Sequence, residues 1–444
     1  MPFPAAGAPP LGGPGLTLPG AFPPTVGTFR GGTFELHPTL HVAEEYSDNF
    51  FQTSSHTAEN FRSILGPGFL LLVNGARTFG SFSTTLDLVH DTAKNSGDDV
   101  KFHPSASAGV RYLIDPRLSL SFSDTYLRND EAGTVDQFGL RQGRSTFDTN
   151  SFATTVDWII DRFVTQAYYK NLLFINESGG NGQNINGQTS SGTTSADTLT
   201  HILGVNGSTR FATDYTGKVG YEFSRAQTLS GGGGTNTDST GHLVFGSLSK
   251  QFGLFTTTGL SSSYSYQTLN STSIYNVSLF GAYGLPQGLS VSAAVGYSWL
   301  HSDTEDDSGF STNTTVAYRF ARAVVSVGVF QDFRQTGQQG QNFGTVQSRS
   351  YFGTFLYQFT PFINGTLTAA YSENEPTGTG NSSTTSGVQT TLTYGANLNW
   401  QVLRWLVASA RYTYTKRTGT TVFGGVGTGD IGENRATLNL FATF

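Results

Sequence analysis

The sequence predicts an all-β fold: a transmembrane, antiparallel, up-and-down β-barrel of about twenty strands, within a range of roughly 16–22. Three observations lead there. Apolar and polar residues alternate with a period of two over long stretches. Short and long connectors alternate between those stretches. Aromatic residues gather near the ends of the apolar stripes.

The alternation is plainest in Leu289 to Trp299, where Leu289, Val291, Ala293, Val295, Tyr297 and Trp299 oppose Ser290, Ser292, Ala294, Gly296 and Ser298. It recurs in Val100 to Tyr112, with Val100, Phe102, Ala106, Val110 and Tyr112 against Lys101, His103, Ser105, Ser107 and Arg111. Residues 388–400 repeat it. One face is apolar and the other wet, over lengths that match the ~9–11 residues of a tilted membrane-spanning strand. Twenty such segments are expected to start near residues 33, 60, 78, 99, 117, 148, 162, 197, 213, 239, 254, 272, 287, 309, 322, 345, 361, 387, 404 and 433. Tight turns are expected at Ile114-Asp115-Pro116, Ile160-Asp161-Arg162, Leu285-Pro286-Gln287, Phe320-Ala321-Arg322 and Thr360-Pro361. Long polar loops are expected at 129–147, 175–196, 228–238, 301–308, 335–344, 374–386 and 417–432. Short turns on one side and long loops on the other are the asymmetry of outer-membrane barrels, with the short turns periplasmic and the long loops extracellular. Strand counting then puts both ends of the barrel on the short-turn side.

Phe34, Tyr46, Tyr112, Trp158, Phe163, Tyr283, Trp299, Tyr318, Trp400 and Tyr412 fall near stripe ends, where interfacial girdles lie. Pro38, Pro67 and Pro104 resist the scheme, because a closed barrel has no edge to excuse a missing donor. Bulges or shifted registers are the expected accommodation.

Composition excludes other classes. Charged residues are 13% and aromatics also 13%, the opposite of a disordered chain. No apolar run approaches the ~20 residues of a spanning helix. The net charge of −6 gives no reason to expect a nucleic-acid partner. The chain has no cysteine, which removes disulfides, thiolate metal sites and cysteine nucleophiles. Eight of the 15 prolines lie in residues 1–32, so this stretch is expected to be an extended periplasmic arm preceding a barrel of residues 33–444. The residues after Met1 are neither basic nor continuously apolar, so no secretory signal is legible. The expectation is a mature, exported chain in the outer membrane of a Gram-negative bacterium.

The segment Leu36-His37-Pro38-Thr39-Leu40-His41-Val42-Ala43-Glu44-Glu45-Tyr46-Ser47-Asp48-Asn49-Phe50-Phe51 resembles the opening of the β-barrel porin type 2 family of outer-membrane proteins. Glu45, Tyr46, Asp48 and Asn49 carry the likeness, and Ile64-Leu65-Gly66-Pro67-Gly68-Phe69 resembles the Pro-Gly step that comes next in that family. The resemblance covers about forty residues. It implies a porin-like conduit, with polysaccharide or polysaccharide-export proteins as partners, and no catalytic residues. The last strand, with Leu438, Leu440 and the terminal Phe444 on one face, resembles the signal read by the outer-membrane barrel assembly machinery.

No catalytic constellation stands out, no cofactor is implied, and the protein is expected not to be an enzyme. The histidines lack ligand spacing, and glycine runs such as Gly231 to Gly234 sit in a polar loop without strand–helix context. Asp48 is a candidate calcium ligand; the preferred reading has Asp48-Asn49 starting a turn on its own backbone. The charged residues on the wet ladder are the better candidates for function: Glu35, Asp87, Lys101, His103, Arg111, Asp157, Lys218, Glu222, Arg319, Asp332, Arg334 and Arg411. On the lipid face each basic one would cost roughly 2–4 kcal/mol near the midplane, so they are expected to line the lumen. Cross-strand pairing and a conduit role weigh equally for them. Phe255, Phe280, Phe330 and Phe352 read as inward-facing surfaces for sugar rings, or equally as residues of the other face displaced by one residue of register. The function expected is transport of polysaccharide or small hydrophilic solutes. The alternative is a structural anchor whose loops build a surface assembly. Outer-membrane lipid is the surrounding partner, and a homo-oligomer is compatible with the pattern.

Overall fold

The structure is a computed structural model that describes residues 29–31, 33–50, 57–93, 100–130, 146–176, 197–230, 238–268, 271–285, 288–303, 306–336, 344–377, 388–419 and 430–444. The arm expected at 1–32 lies outside these residues except for β1 (Phe29–Gly31), and the cores of most expected long loops lie outside them as well.

Twenty longer strands come after β1: β2 (Phe34–Ser47), β3 (Asn60–Asn74), β4 (Thr78–Asp91), β5 (Lys101–Asp115), β6 (Leu118–Asn129), β7 (Phe147–Ile160) and β8 (Phe163–Asn176). Then come β9 (Asp197–Arg210), β10 (Tyr215–Ser230), β11 (Ser239–Phe252), β12 (Thr256–Gln267), β13 (Thr272–Gly284), β14 (Leu289–His301) and β15 (Asp306–Arg319). The last are β16 (Ala323–Thr336), β17 (Gly344–Thr360), β18 (Ile363–Thr377), β19 (Gln389–Leu403), β20 (Leu406–Thr418) and β21 (Ile431–Thr443). Each pairs antiparallel with its neighbour in sequence, and β2 pairs with β21 from Thr39↔Thr443 to Ser47↔Arg435. The sheet is closed. Twenty strands spaced ~4.8 Å and tilted ~40° make a wall about 40 Å across between backbones.

Every expected strand start falls within three residues of an observed one. Two connectors differ. The loop expected at 301–308 shrinks to 302–305, because Asp306–Ser308 pair with Trp299–His301. The loop expected at 374–386 starts later, because β18 runs on through Pro376. Both differences have one cause: strands of 12–17 residues overshoot the ~25 Å apolar band, so their polar ends read as loop while still pairing. Connectors at one end span two to four residues, and those at the other span four to twenty.

The three prolines sit where the ladders have no bond to lose. Pro38 lies between the reach of β1, which covers Phe34–Leu36, and that of β21, which begins at Thr39. Its carbonyl accepts the Phe444 amide at 2.9 Å. The β3–β4 ladder skips Gly66 and Pro67. The β5–β6 ladder begins at Ser105, one residue past Pro104. The bulges lie elsewhere, at Leu113/Asp115, Thr228/Ser230, Gln358/Thr360 and Gln401/Leu403. At the short turns Asp161 (φ 54°) and Gly288 (φ 102°) adopt left-handed backbone. Aspartate tolerates that region, whereas a Cβ at Gly288 would overlap the Arg319 carbonyl.

Most of the exposed large apolar side chains are on the outer ladders. Leu279 (68% exposed), Leu438 (64%), Val219, Leu367 and Leu203 belong to this surface. In the middle of the wall Tyr351–Tyr371 and Tyr394–Tyr414 form ring pairs with centroids 6.3 and 6.4 Å apart. Trp158, Phe163, Tyr283, Tyr318 and Trp400 mark the short-turn end. A protein exposing this much apolar surface outward, with a polar interior, has lipid for its outer solvent. Leu279→Arg should therefore lower the unfolding free energy in lipid vesicles by about 2–4 kcal/mol, read by urea titration of tryptophan fluorescence. Thr257→Arg, on the inner ladder of β12, should change it by less than about 0.5 kcal/mol.

Candidate functional site: the lumen wall and its rim

All twelve charged residues expected to line the lumen fall on the inward ladder of their strands. For Arg334 only the backbone position is described. Most of them are held against the wall by nearby side chains. Arg111 donates to Ser119 Oγ at 3.2 Å, Ser119 donates to Asp157 Oδ2 at 3.4 Å, and Gln166 donates to Asp157 Oδ1 at 2.9 Å. Asn206 continues the chain to Gln166 at 3.2 Å, so one polar belt crosses β5 to β9. On the far wall Asn276 donates to Ser298 (2.7 Å) and Ser311 (2.9 Å), and Ser298 donates to Asp332 (2.8 Å). Asp87 lies 3.5 Å from His41, and Glu35 lies 3.7 Å from His37. Arg319 and Arg411 stand exposed on the inner face.

Inward aromatics are arranged by glycine. Tyr168, Phe245, Phe280 and Phe352 are each directly paired across the ladder with a glycine: Gly204, Gly220, Gly259 and Gly328. A Cβ on any of these glycines would overlap the facing ring. The rings therefore lie flat on the bare backbone opposite them, along the wall and not across the bore. Tyr168 is fixed further by donating to Glu222 at 2.6 Å, and Lys218 sits 5.5 Å from the Phe245 ring centroid. Phe280 and Phe352 face inward as expected. Phe255 does not: it lies in the short turn before β12.

The long-loop rim carries two buried networks. Arg62, 1% exposed, donates through Nε and Nη2 to both oxygens of Asp91 at 2.7 and 3.0 Å, and through Nη2 to Asp130 at 2.9 Å. Lys101 reaches Asp91 at 3.2 Å and Asp130 at 3.5 Å, while His103 lies 3.9 Å from Asp130. Asn60 donates to Asp91 at 2.9 Å and accepts the Thr92 and Ala93 amides. The sequence singles out Lys101 and His103 but not Arg62, Asp91 or Asp130. Arg62 and Asp91 stand on the inward ladders of β3 and β4, so the same alternation carries their signal. Asp130 lies just past β6, and only the folded wall brings it in.

The second network closes the seam between β2 and β21. Asp48 accepts the Asn434 amide at 2.7 Å and its Nδ2 at 2.6 Å, and Asn49 Nδ2 donates to the Gly432 carbonyl at 2.8 Å. Ser47 donates to Glu433 at 2.9 Å, and Arg435 lies between Glu433 (3.1 Å) and Glu45 (3.8 Å). Asp48 and Asn49 stand in the bend just past β2, with their side chains engaged with the last strand. Among the described residues no group of three or more candidate ligands forms a metal site. Tyr46 stands on the outer face against Phe61, centroids 5.0 Å apart. At the other end of the seam the Phe444 ring stacks on Trp405 at 5.4 Å, while Leu438 and Leu440 face lipid.

This is the fold of an outer-membrane β-barrel. Solved structures similar to it include the siderophore receptor PirA of Pseudomonas aeruginosa (10% identity, TM-score 0.53, covering 92% of this chain and 80% of that one). The ferric enterobactin receptor of the same organism is similar at 10% identity and TM-score 0.51, over 92% of this chain and 81% of that one. The FrpB iron transporter of Neisseria meningitidis is similar at 11% identity and TM-score 0.51, over 92% and 82%. At such identities the likeness is one of fold. No family model matches the chain, and no curated protein matches it in sequence.

Two substitutions test the wall. Arg62→Met removes the buried guanidinium that Asp91 and Asp130 share and should cost about 3–5 kcal/mol in urea unfolding. Gly328→Ala should lift the Phe352 ring off the wall and cost about 1–3 kcal/mol in the same assay.

Proposed function

We propose that the protein is a conduit in the outer membrane of a Gram-negative bacterium, passing hydrophilic solutes and serving polysaccharide export or passive diffusion. The observation that carries this reading is the inner wall. A barrel about 40 Å across is lined by hydroxyl, amide and charged groups of both signs, and its large inward rings are folded flat onto glycines. In this reading no bond is made or broken. The wall sets what passes by width and by polarity.

The solved neighbours are named as receptors and transporters of iron or siderophores, which supports transport as the coarse function. The resemblance of residues 36–51 to β-barrel porin type 2 proteins supports the finer reading, a path for sugar polymers. In that reading Leu438, Leu440 and Phe444 of the last strand are what the assembly machinery recognises.

Purified protein reconstituted in planar bilayers should give discrete conductance steps with weak ion selectivity, because the lumen charges are of both signs and mostly engaged with neighbours. Vesicles carrying it should admit neutral oligosaccharides in a swelling assay. A folded barrel that leaves the bilayer sealed would overturn the proposal.

A further inference from the structure

One carboxylate is on the wrong side of the wall. Asp124 lies in mid-strand on β6, on the ladder of Leu120 and Phe122, and pairs across with Ala108 of β5 and Phe152 of β7. That ladder faces lipid. Among the described residues it is the single acidic or basic side chain at a lipid-facing position within two residues of a strand's midpoint. Asp124 takes one hydrogen bond, from Asn150 Nδ2 at 2.8 Å, through Oδ1. Hydrocarbon offers nothing to Oδ2, and an unanswered carboxylate at that depth is costly.

The surface around it is suited to a protein contact. Towards β4 and β5 the outer wall has the small residues Thr84, Ala106 and Ala108, with Phe82 opposite Ala108. Towards β8 and β9 it sinks into a groove of about 590 Å³ whose walls include Val156, Ala167, Tyr169, Leu203 and Tyr221. Phe122 and Phe152 stand as a ridge beside that groove. Small residues let a second wall approach closely, and a ridge next to a groove fits its own copy when turned by half a revolution. Polar groups of both charges stand above Asp124. Arg128 lies 3.8 Å from Asp148, Tyr126 donates to Asp148 at 2.8 Å, and Tyr169 and His201 share a hydrogen bond of 2.8 Å.

We propose that the lipid-facing wall of β6 to β9 is the contact between two copies of this chain, packed about a two-fold axis, in which each Asp124 accepts a hydrogen bond from the Asn150 of the other copy. Asn150 has two amide hydrogens and its own Asp124 uses one. The second is directed to the facing Asp124, so four groups close a ring across the axis. An acyl chain supplies no donor at this depth. A second copy supplies the donor and acceptor together, in matching positions. The inference stands apart from what the lumen passes: a sealed barrel would need the same partner.

The absence of cysteine makes the test clean. In lipid vesicles, Thr154→Cys beside Asp124 should yield a disulfide-linked dimer on mild oxidation, whereas Leu279→Cys on the remote wall should not. The unmodified protein in mild detergent should run as a dimer in native mass spectrometry. Asp124→Leu and Asn150→Leu should each raise the dimer dissociation constant at least tenfold, while heat-modifiable gel migration shows the barrel intact. A monomer at every protein-to-lipid ratio would overturn the proposal. So would an Asp124→Leu protein that dimerises as well as the parent, or equal cross-linking from both cysteine positions.

Discussion

Everything in this molecule depends on one requirement: in hydrocarbon, no backbone amide or carbonyl of the wall can be left without a partner. A sheet meets it only by joining its first strand to its last. Here that join is the β2–β21 ladder, and side-chain bonds are concentrated on it. Asp48 and Asn49 reach across to Asn434 and Gly432, Ser47 and Glu45 engage Glu433 and Arg435, and the Phe444 amide caps Pro38. The short β1 ladder on Phe34–Leu36 takes up the edge of β2 that β21 leaves bare. Even the prolines obey the requirement, since each stands where the neighbouring ladder has already stopped or skips.

Closure then divides the side chains between two solvents. The outer ladders carry leucine, valine and aromatic rings. The inner ladders carry serine, threonine, asparagine and charges that bind one another across strands. The pairing of inward rings with glycines belongs to the same division of space. A ring that has bare backbone opposite it can bury one face on the wall and leave the bore to water. Most charged groups of the lumen act first as cross-links of the wall, while Arg319 and Arg411 stand exposed to the bore. The electrostatic character of the lumen is accordingly mild.

Much of this was legible in the sequence because period two is a strict rule: one residue of slip would turn a whole strand inside out. The strand starts, the inward charges and the sorting of short and long connectors all derive from it. What escaped was whatever depends on two strands at once. Nothing local to Arg62 shows that it meets Asp130 from beyond β6, and nothing local to Asp48 shows that its partner is 386 residues away. The calcium and turn readings of Asp48 are each an explanation within one segment, and neither reaches Asn434. Asp124 escaped for the opposite reason. It breaks the alternation by itself, and a reading built on pattern passes over a single exception.

The seam also has a consequence in time. Its two sides are nearly the whole chain apart, so every earlier strand can find its neighbour as it is made, while β2 waits for the last to arrive. Until then the growing sheet presents two raw margins, each able to seize any stray extended peptide. Such long-separated contacts form slowly. Closure of the wall therefore rests on the last strand, the thirteen residues from Ile431 to Thr443.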